Sequence, residues 1–330
     1  MSEVYIGHLS RKDMLYEYLR WEIFPRFGSD CSKGIRVFAT GGSNAVYIYE
    51  DRATCQKVVG KFFYSDRMRD WELAGRRLAR EYSNIKEFRS YLGGYHYIAD
   101  ALGCNYDLDR LLVVEYCAGT PLDSIIMQTI NSRNDGLLFS KLTSLAWFLA
   151  TVHNKSAKGV GVDFDRECHY SNSIINCLDG IVNYWERERL YSLVQDWKSD
   201  WAMWSDQEVL VHGDATPSNF FFGDGLHVIS FDMERVKQSD RVFDVGRIAG
   251  ELQHFFLRST GNKYNAEKFI GHFLWEYCCH FPDRNSAFQS VCCRIPFYMG
   301  TTLLRIARNG YLDVSYRRKL VNEAFNCLGR

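Results

Sequence analysis

The chain has 330 residues, 46% hydrophobic and 15% aromatic, with 40 Lys plus Arg against 40 Asp plus Glu. That length allows two units or one large two-lobed body with a substantial core. The balanced charge gives no support to a nucleic-acid partner. With only five prolines and no low-complexity tract, long disordered linkers are not expected.

Eleven cysteines, an odd number without a Cys-x-x-Cys pair, read as thiols in a reducing compartment rather than a disulfide framework or zinc site. Residues 1–20 have no apolar core of signal-peptide type. No run approaches the ~20 apolar residues needed to cross a bilayer. The expectation is a soluble, cytoplasmic protein with no membrane partner; oligomeric state stays open.

In chain order, Ser10-Arg11-Lys12-Asp13 signals a helix start, with Met14, Leu15, Tyr18 and Leu19 following at helical spacing. Strand-like runs cover Ile35 to Ala39, Ala45 to Tyr49 and Lys57 to Phe63. Gly41, Gly42, Ser43 and Asn44 join the first two. Such a loop is a turn, or a place where backbone N–H groups approach a phosphate. Walker A and Gly-x-Gly-x-x-Gly sequences are absent, which argues against P-loop and dinucleotide-type binding. Lys61 lies inside the third apolar strand. It either snorkels from an edge or needs an anionic partner, because burying a lone ammonium is costly. The helix expected from about residue 67 to 91 offers Glu81, with Glu87 as the alternative; Lys57 is the alternative to Lys61.

Leu111 to Tyr116 reads as a buried strand, and beyond it the pattern is mostly helical. Leu138, Leu142, Leu145, Leu149 and His153 form one stripe, with His153 a core or helix-end residue. Residues 160–209 carry ten acidic and four basic residues plus Trp185, Trp197, Trp201 and Trp204. These make either a solvated helical surface with inward tryptophans or an acidic, aromatic-lined pocket for a cation. Four helices are expected near the C-terminus: 243–258, 266–279, 287–308 (with Pro296 as a kink or split) and 315–328.

The densest signal is His212-Gly213-Asp214-Ala215-Thr216-Pro217-Ser218-Asn219 and, after it, Asp232-Met233-Glu234. Phe220 to Phe222 and Leu226 to Phe231 flank Gly223-Asp224-Gly225, a hairpin signal that would return Asp232 toward Asp214. Asp214 would accept the proton of an attacking hydroxyl, while Asn219 and Asp232 would hold a metal on nucleotide phosphates. Glu234 joins the metal candidates. His212 and Asp244 are expected to brace the loop.

On these motifs the chain resembles the aminoglycoside phosphotransferase and choline kinase superfamily, small-molecule relatives of protein kinases. His212-Gly213-Asp214 and Asp232-Met233-Glu234 depart from the His-Arg-Asp and Asp-Phe-Gly of protein kinases. The resemblance covers roughly residues 35–305 and is strongest over 208–250. It implies an α+β, protein-kinase-like fold: residues 1–117 a small lobe with an antiparallel sheet, 118–330 a larger helical lobe. It implies a γ-phosphoryl transfer from ATP with Mg2+ to a hydroxyl of a small molecule, an amino-sugar, an amino-alcohol or a sugar-like compound; the acid excess and tryptophans of 160–209 add a slight preference for one carrying positive charge. It assigns Lys61, paired with Glu81, to the phosphates, and Glu115 to Cys117 to a hinge whose backbone meets the adenine. A protein kinase and an inactive nucleotide-binding pseudokinase are the alternatives.

Overall fold

The structure, a computed structural model, describes residues 3–40, 45–66, 68–94, 96–223 and 225–329. Gly41, Gly42, Ser43 and Asn44, the loop candidates of the sequence, lie outside these. The chain divides into two compact units: Met1–Ser90 with Tyr97–Ala118 and Phe231–Glu234, and Tyr91–His96 with Gly119–Ser230 and Arg235–Arg330.

The first unit contains β1 (Glu3–His8), α1 (Met14–Tyr18), β2 (Ile35–Thr40), β3 (Ala45–Asp51), β4 (Lys57–Phe62), α2 (Trp71–Ser90), β5 (Tyr97–Ile98), β6 (Ala101–Asn105) and β7 (Leu111–Glu115). Six strands form an antiparallel sheet in the order β1-β2-β3-β4-β7-β6. The three strands expected from the sequence appear within a residue or two of their expected ends. The edge strand β1 was not expected, because its outward Val4, Tyr5 and Ile6 are exposed and it lacks a buried alternating face. Asp13 caps α1 by accepting the Leu15 N–H.

One face of this sheet is closed by α1 and the turns after it: Tyr18, Leu19, Ile23 and Phe24 share a core with Ile35, Val37, Tyr49, Val58, Leu111 and Val113. Val58 and Gly60 alternate with Val59 and Lys61 along β4, so strand pleating sends Lys61 to the face opposite this core. Helix α2 packs on the sheet through Ala74, Leu78, Glu81, Ile85 and Phe88, a stripe at three- and four-residue steps.

The second unit is mainly helical: α3 (Leu122–Ser132), α4 (Asp135–Ser156), α5 (Phe164–Asn176), α6 (Tyr184–Lys198), α7 (Val242–Thr260), α8 (Glu267–Cys278), α9 (Arg284–Ala307) and α10 (Val314–Leu328). Its short strands are β8 (Thr120–Pro121), β9 (Glu208–Val211), β10 (Phe220–Phe222), β11 (Val228–Ser230) and β12 (Lys237–Asp240). The β10–β11 hairpin is present, with β8 along β10, and β12 pairs with β9. Lys141 of α4 donates to the carbonyls of Gly223 and Gly225, at 3.2 and 2.7 Å, and so holds the hairpin turn. The four C-terminal helices stand where expected, but Pro296 splits nothing: α9 runs through it as one helix. Among the described residues no helix is long and apolar enough to cross a membrane.

Candidate active site

In the first unit, Lys61 is the centre of an ion cluster. Its ammonium donates to Glu81 Oε2 and to Asp232 Oδ1, each at 2.8 Å, and lies 3.9 Å from Glu234 Oε2. Burial alone would lower the Lys61 pKa, but the carboxylates of Glu81 and Asp232 more than offset it and raise it. Glu81 is pushed up to about 7 by burial, because it shares its one cation with Asp232. Of the two alternatives on α2, Glu81 is the buried partner and Glu87 is exposed. Lys57 instead pairs with Glu3 at 2.6 Å.

The 231–234 segment is tied to α2 by Asn84, whose amide donates to the Met233 carbonyl at 2.7 Å. Asp232 sits at φ 60°, a left-handed conformation that Asp tolerates better than most residues. Carboxylate oxygens of Glu81, Asp232 and Glu234 lie within 4.8 Å of one another. Glu115 ends β7 with its side chain on the Tyr97 hydroxyl, and the Cys117 thiol donates to the Glu115 carbonyl at 3.9 Å. These side chains serve local structure, which leaves only backbone for a hinge role.

In the second unit the 212–219 loop is held from below. Asp244, fully buried near the start of α7, accepts the N–H groups of His212 at 2.6 Å and Gly213 at 3.0 Å. Burial would raise its pKa, but the hydrogen bond and charge of His153 and the His212 N–H outweigh this and lower it. His153 is wholly buried between Asp244 and the Tyr277 hydroxyl, a structural place rather than a ligand position. Gly213 sits at φ 76°, where a Cβ would lie 2.0 Å from the Arg235 carbonyl oxygen. Glycine is therefore the residue this turn accepts. Asn219 donates its amide nitrogen to the Asp214 carbonyl at 2.9 Å, so its oxygen is the atom it offers a ligand.

The residues around Asp214 were not anticipated from sequence. Its Oδ1 accepts from Arg305 Nη2 at 2.6 Å and Arg247 Nη1 at 3.2 Å, and Arg235 Nε stands 3.8 Å from Oδ2. A signal was present: Arg247 lies one turn after Asp244 inside α7, and Arg305 stands between Leu304 and Ile306.

Several acids of the 160–209 stretch meet bases: Asp163 and Glu208 pair with Arg166, Asp165 with Lys198, Glu167 with Lys237, Glu186 with Arg318, and Asp206 with Arg241 and Arg294. Trp197 is buried in the core, whereas Trp185 and Trp201 are 78% and 76% exposed.

Within the first unit the metal candidates Asp232 and Glu234 offer carboxylate oxygens, which suit a hard divalent cation such as Mg2+.

No protein-family profile and no curated protein matches the chain. Solved structures do. An ethanolamine kinase of Plasmodium vivax matches with a TM-score of 0.59 at 12% identity, covering 97% of this chain and 88% of that one. Amicoumacin kinase in complex with AMP-PNP, Ca2+ and Ami matches at 0.59 and 14%, covering 96% of each chain. The ADP-bound aminoglycoside phosphotransferase APH(2'')-Ib matches at 0.56 and 14%, covering 97% of each. At such identities the likeness is one of fold: this chain has the α+β, protein-kinase-like fold of small-molecule kinases and phosphotransferases.

Proposed function

We propose that the protein transfers the γ-phosphoryl group of ATP to a hydroxyl of a small molecule. The observation that carries this is Lys61, a strand lysine whose ammonium lies 2.8 Å from both the helix carboxylate Glu81 and the loop carboxylate Asp232. A lysine–glutamate pair of this kind is what kinases use to steady nucleotide phosphates. The fold neighbours support a small acceptor, since they are named for ethanolamine, aminoglycosides and amicoumacin.

In this reading Lys61 binds phosphate oxygens and Glu81 fixes the lysine. Backbone at 115–117 meets the adenine. Mg2+, held through Asp232, Asn219 and Glu234, would offset the phosphate charge. Asp214 orients the acceptor hydroxyl and takes its proton as the hydroxyl oxygen bonds to the γ-phosphorus. The bond from that phosphorus to the bridging oxygen breaks, and ADP leaves. The work is positioning and neutralisation. Use of ATP fits a cytoplasmic enzyme.

The test is ADP release over a panel of hydroxylated compounds with Mg·ATP. Asp214→Asn is expected to lower turnover by roughly 10²–10⁴ while nucleotide binding persists. Turnover within a few-fold of wild type would remove Asp214 from the base role. Nucleotide binding without turnover of any acceptor would favour an inactive binding module.

A further inference from the structure

Two arginines hold Asp214 through one of its oxygens. Oδ1 accepts from Arg305 Nη2 at 2.6 Å and from Arg247 Nη1 at 3.2 Å. Among the described residues Oδ2 accepts no hydrogen bond; Arg235 Nε stands 3.8 Å from it, beyond hydrogen-bond reach. The carboxylate thus has a fixed oxygen and an offered one.

Helix geometry sets this grip. On α7, Arg247 lies one turn before Glu251. On α9, Arg305 places Nη1 3.6 Å from Glu251 Oε1 while its Nη2 reaches Asp214. Arg305 therefore bridges α7 and the 212–219 loop. The two helices approach closely where Gly246 meets Tyr298 and Gly250 meets Thr302. Tyr298, Thr302 and Arg305 follow one another at four- and three-residue steps, on one face of α9. That contact fixes the reach of the Arg305 side chain. Arg247 is steadied in turn by the Tyr170 hydroxyl, 2.9 Å from its Nη2.

The bonding of these guanidinium groups differs from that of an arginine that only holds the fold. Arg294, 1% exposed, engages every nitrogen: Nε on the Ser290 carbonyl, Nη1 on Asp240, and Nη2 on Asp206 and the Ser290 hydroxyl. Arg247 and Arg305 are 3% and 16% exposed, yet their buried Nε atoms have no partner among the described residues. A buried donor left unpaired costs stability, and most such donors in folded proteins are paired. These two arginines forgo that bond and direct Nη atoms at a single oxygen of Asp214.

We infer that Arg305, together with Arg247, is a positioning residue for phosphoryl transfer: it pins Oδ1 so that Oδ2 of Asp214 meets the acceptor hydroxyl. This rests on the phosphotransfer reading. In the step, the hydroxyl oxygen bonds to the γ-phosphorus and its proton passes to Oδ2. The bond from that phosphorus to the bridging oxygen breaks, and ADP leaves. Oδ1 keeps both guanidinium hydrogen bonds throughout. A loose transition state asks the base for orientation more than for basicity.

The experiment is a double-variant cycle on the full chain with Mg·ATP. The acceptor is whichever of ethanolamine, glucosamine, glucose and glycerol wild type phosphorylates fastest. Arg305→Gln is expected to lower kcat by about ten- to a hundred-fold, as for a misplaced reacting group, while KM for ATP moves less than about three-fold. Arg305→Lys should regain part of the loss. In the Asp214→Asn background the same Arg305→Gln change should cost less than about three-fold, because a residue acting through Asp214 has nothing left to position. An equal loss in both backgrounds overturns the inference and leaves the phosphotransfer reading standing. So does Arg305→Gln turnover within about three-fold of wild type. If Arg305→Gln does not fold, Arg305→Lys carries the cycle with the same two outcomes.

If wild type turns over none of the acceptors, the phosphotransfer reading fails by itself, and crystal structures decide whether Asp214 is pinned. Its carboxylate is expected to leave the wild-type rotamer in Arg305→Gln. The same rotamer in both proteins overturns the inference.

Discussion

At the scale of single residues, Gly213 shows why the loop reads His-Gly-Asp. Its φ of 76° and the Arg235 carbonyl, 2.0 Å from where a Cβ would stand, exclude any side chain without movement. Gly213→Ala is expected to cost about 1–3 kcal/mol or more of stability, read by denaturant unfolding, since strain and a backbone clash add. A variant as stable as wild type would mean the loop rearranges freely. Glu251 gives a pH signature. It faces Arg305, Arg247 and Asp214, and burial holds its folded pKa at about 7, above the ordinary glutamate value of 4.5. A raised pKa means that its stabilising contribution is full below the unfolded value and is lost as pH rises through the folded one. Glu251→Gln should therefore gain Tm relative to wild type between pH 5 and 8, a window set by that pKa. A Tm difference independent of pH would show that Glu251 titrates normally.

At the scale of elements, helices decide the site's support more than strands do. Helix α7 carries Asp244 under the loop and Arg247 on Asp214, and it packs tightly on α9 through glycines. A Cβ on Gly246 would lie 2.4 Å from the Tyr298 Cβ, and one on Gly250 2.9 Å from Thr302. In an open helix glycine to alanine stabilises by up to ~1 kcal/mol. Here Gly246→Ala should destabilise instead, by about 1–3 kcal/mol as for overpacking, and calorimetry gives the sign. The same close approach positions Arg305, which α9 carries beside Asp214. Helix α2 was legible in more detail: Glu81 falls in phase with Leu78, Ile85 and Phe88 on the buried stripe, whereas Glu87 is out of phase. A carboxylate on an apolar stripe needs a buried cation, and Lys61 supplies it.

At the scale of the whole molecule, binding should appear as stability. A ligand that binds only the folded chain adds about 2.7 kcal/mol at a hundred times its Kd. Mg·ATP is expected to raise Tm, and EDTA to reduce the rise. Asp232→Ala should lose the Mg2+-dependent part, because Asp232 is the proposed metal carboxylate, while Asp214→Asn should keep it. An unchanged Mg2+ dependence in Asp232→Ala would leave that residue a turn former paired to Lys61.

The strands of the first sheet, the β10–β11 hairpin and the four C-terminal helices were readable because periodicity and turn residues encode local structure, and because each stripe has one side to bury. The 212–219 loop and residues 232–234 were readable from residue type and spacing. The charge pairing was not. Lys61 and Asp232 are 171 positions apart, and Arg305 is 91 from Asp214; a charged side chain carries no mark of its distant partner. Asp206 and Glu186 of the 160–209 stretch likewise meet Arg241, Arg294 and Arg318 from far along the chain. Local chemistry thus lies in the sequence, and the pairing of charged side chains was decided by the tertiary structure, which alone brings charges distant in the chain within a few ångströms of one another.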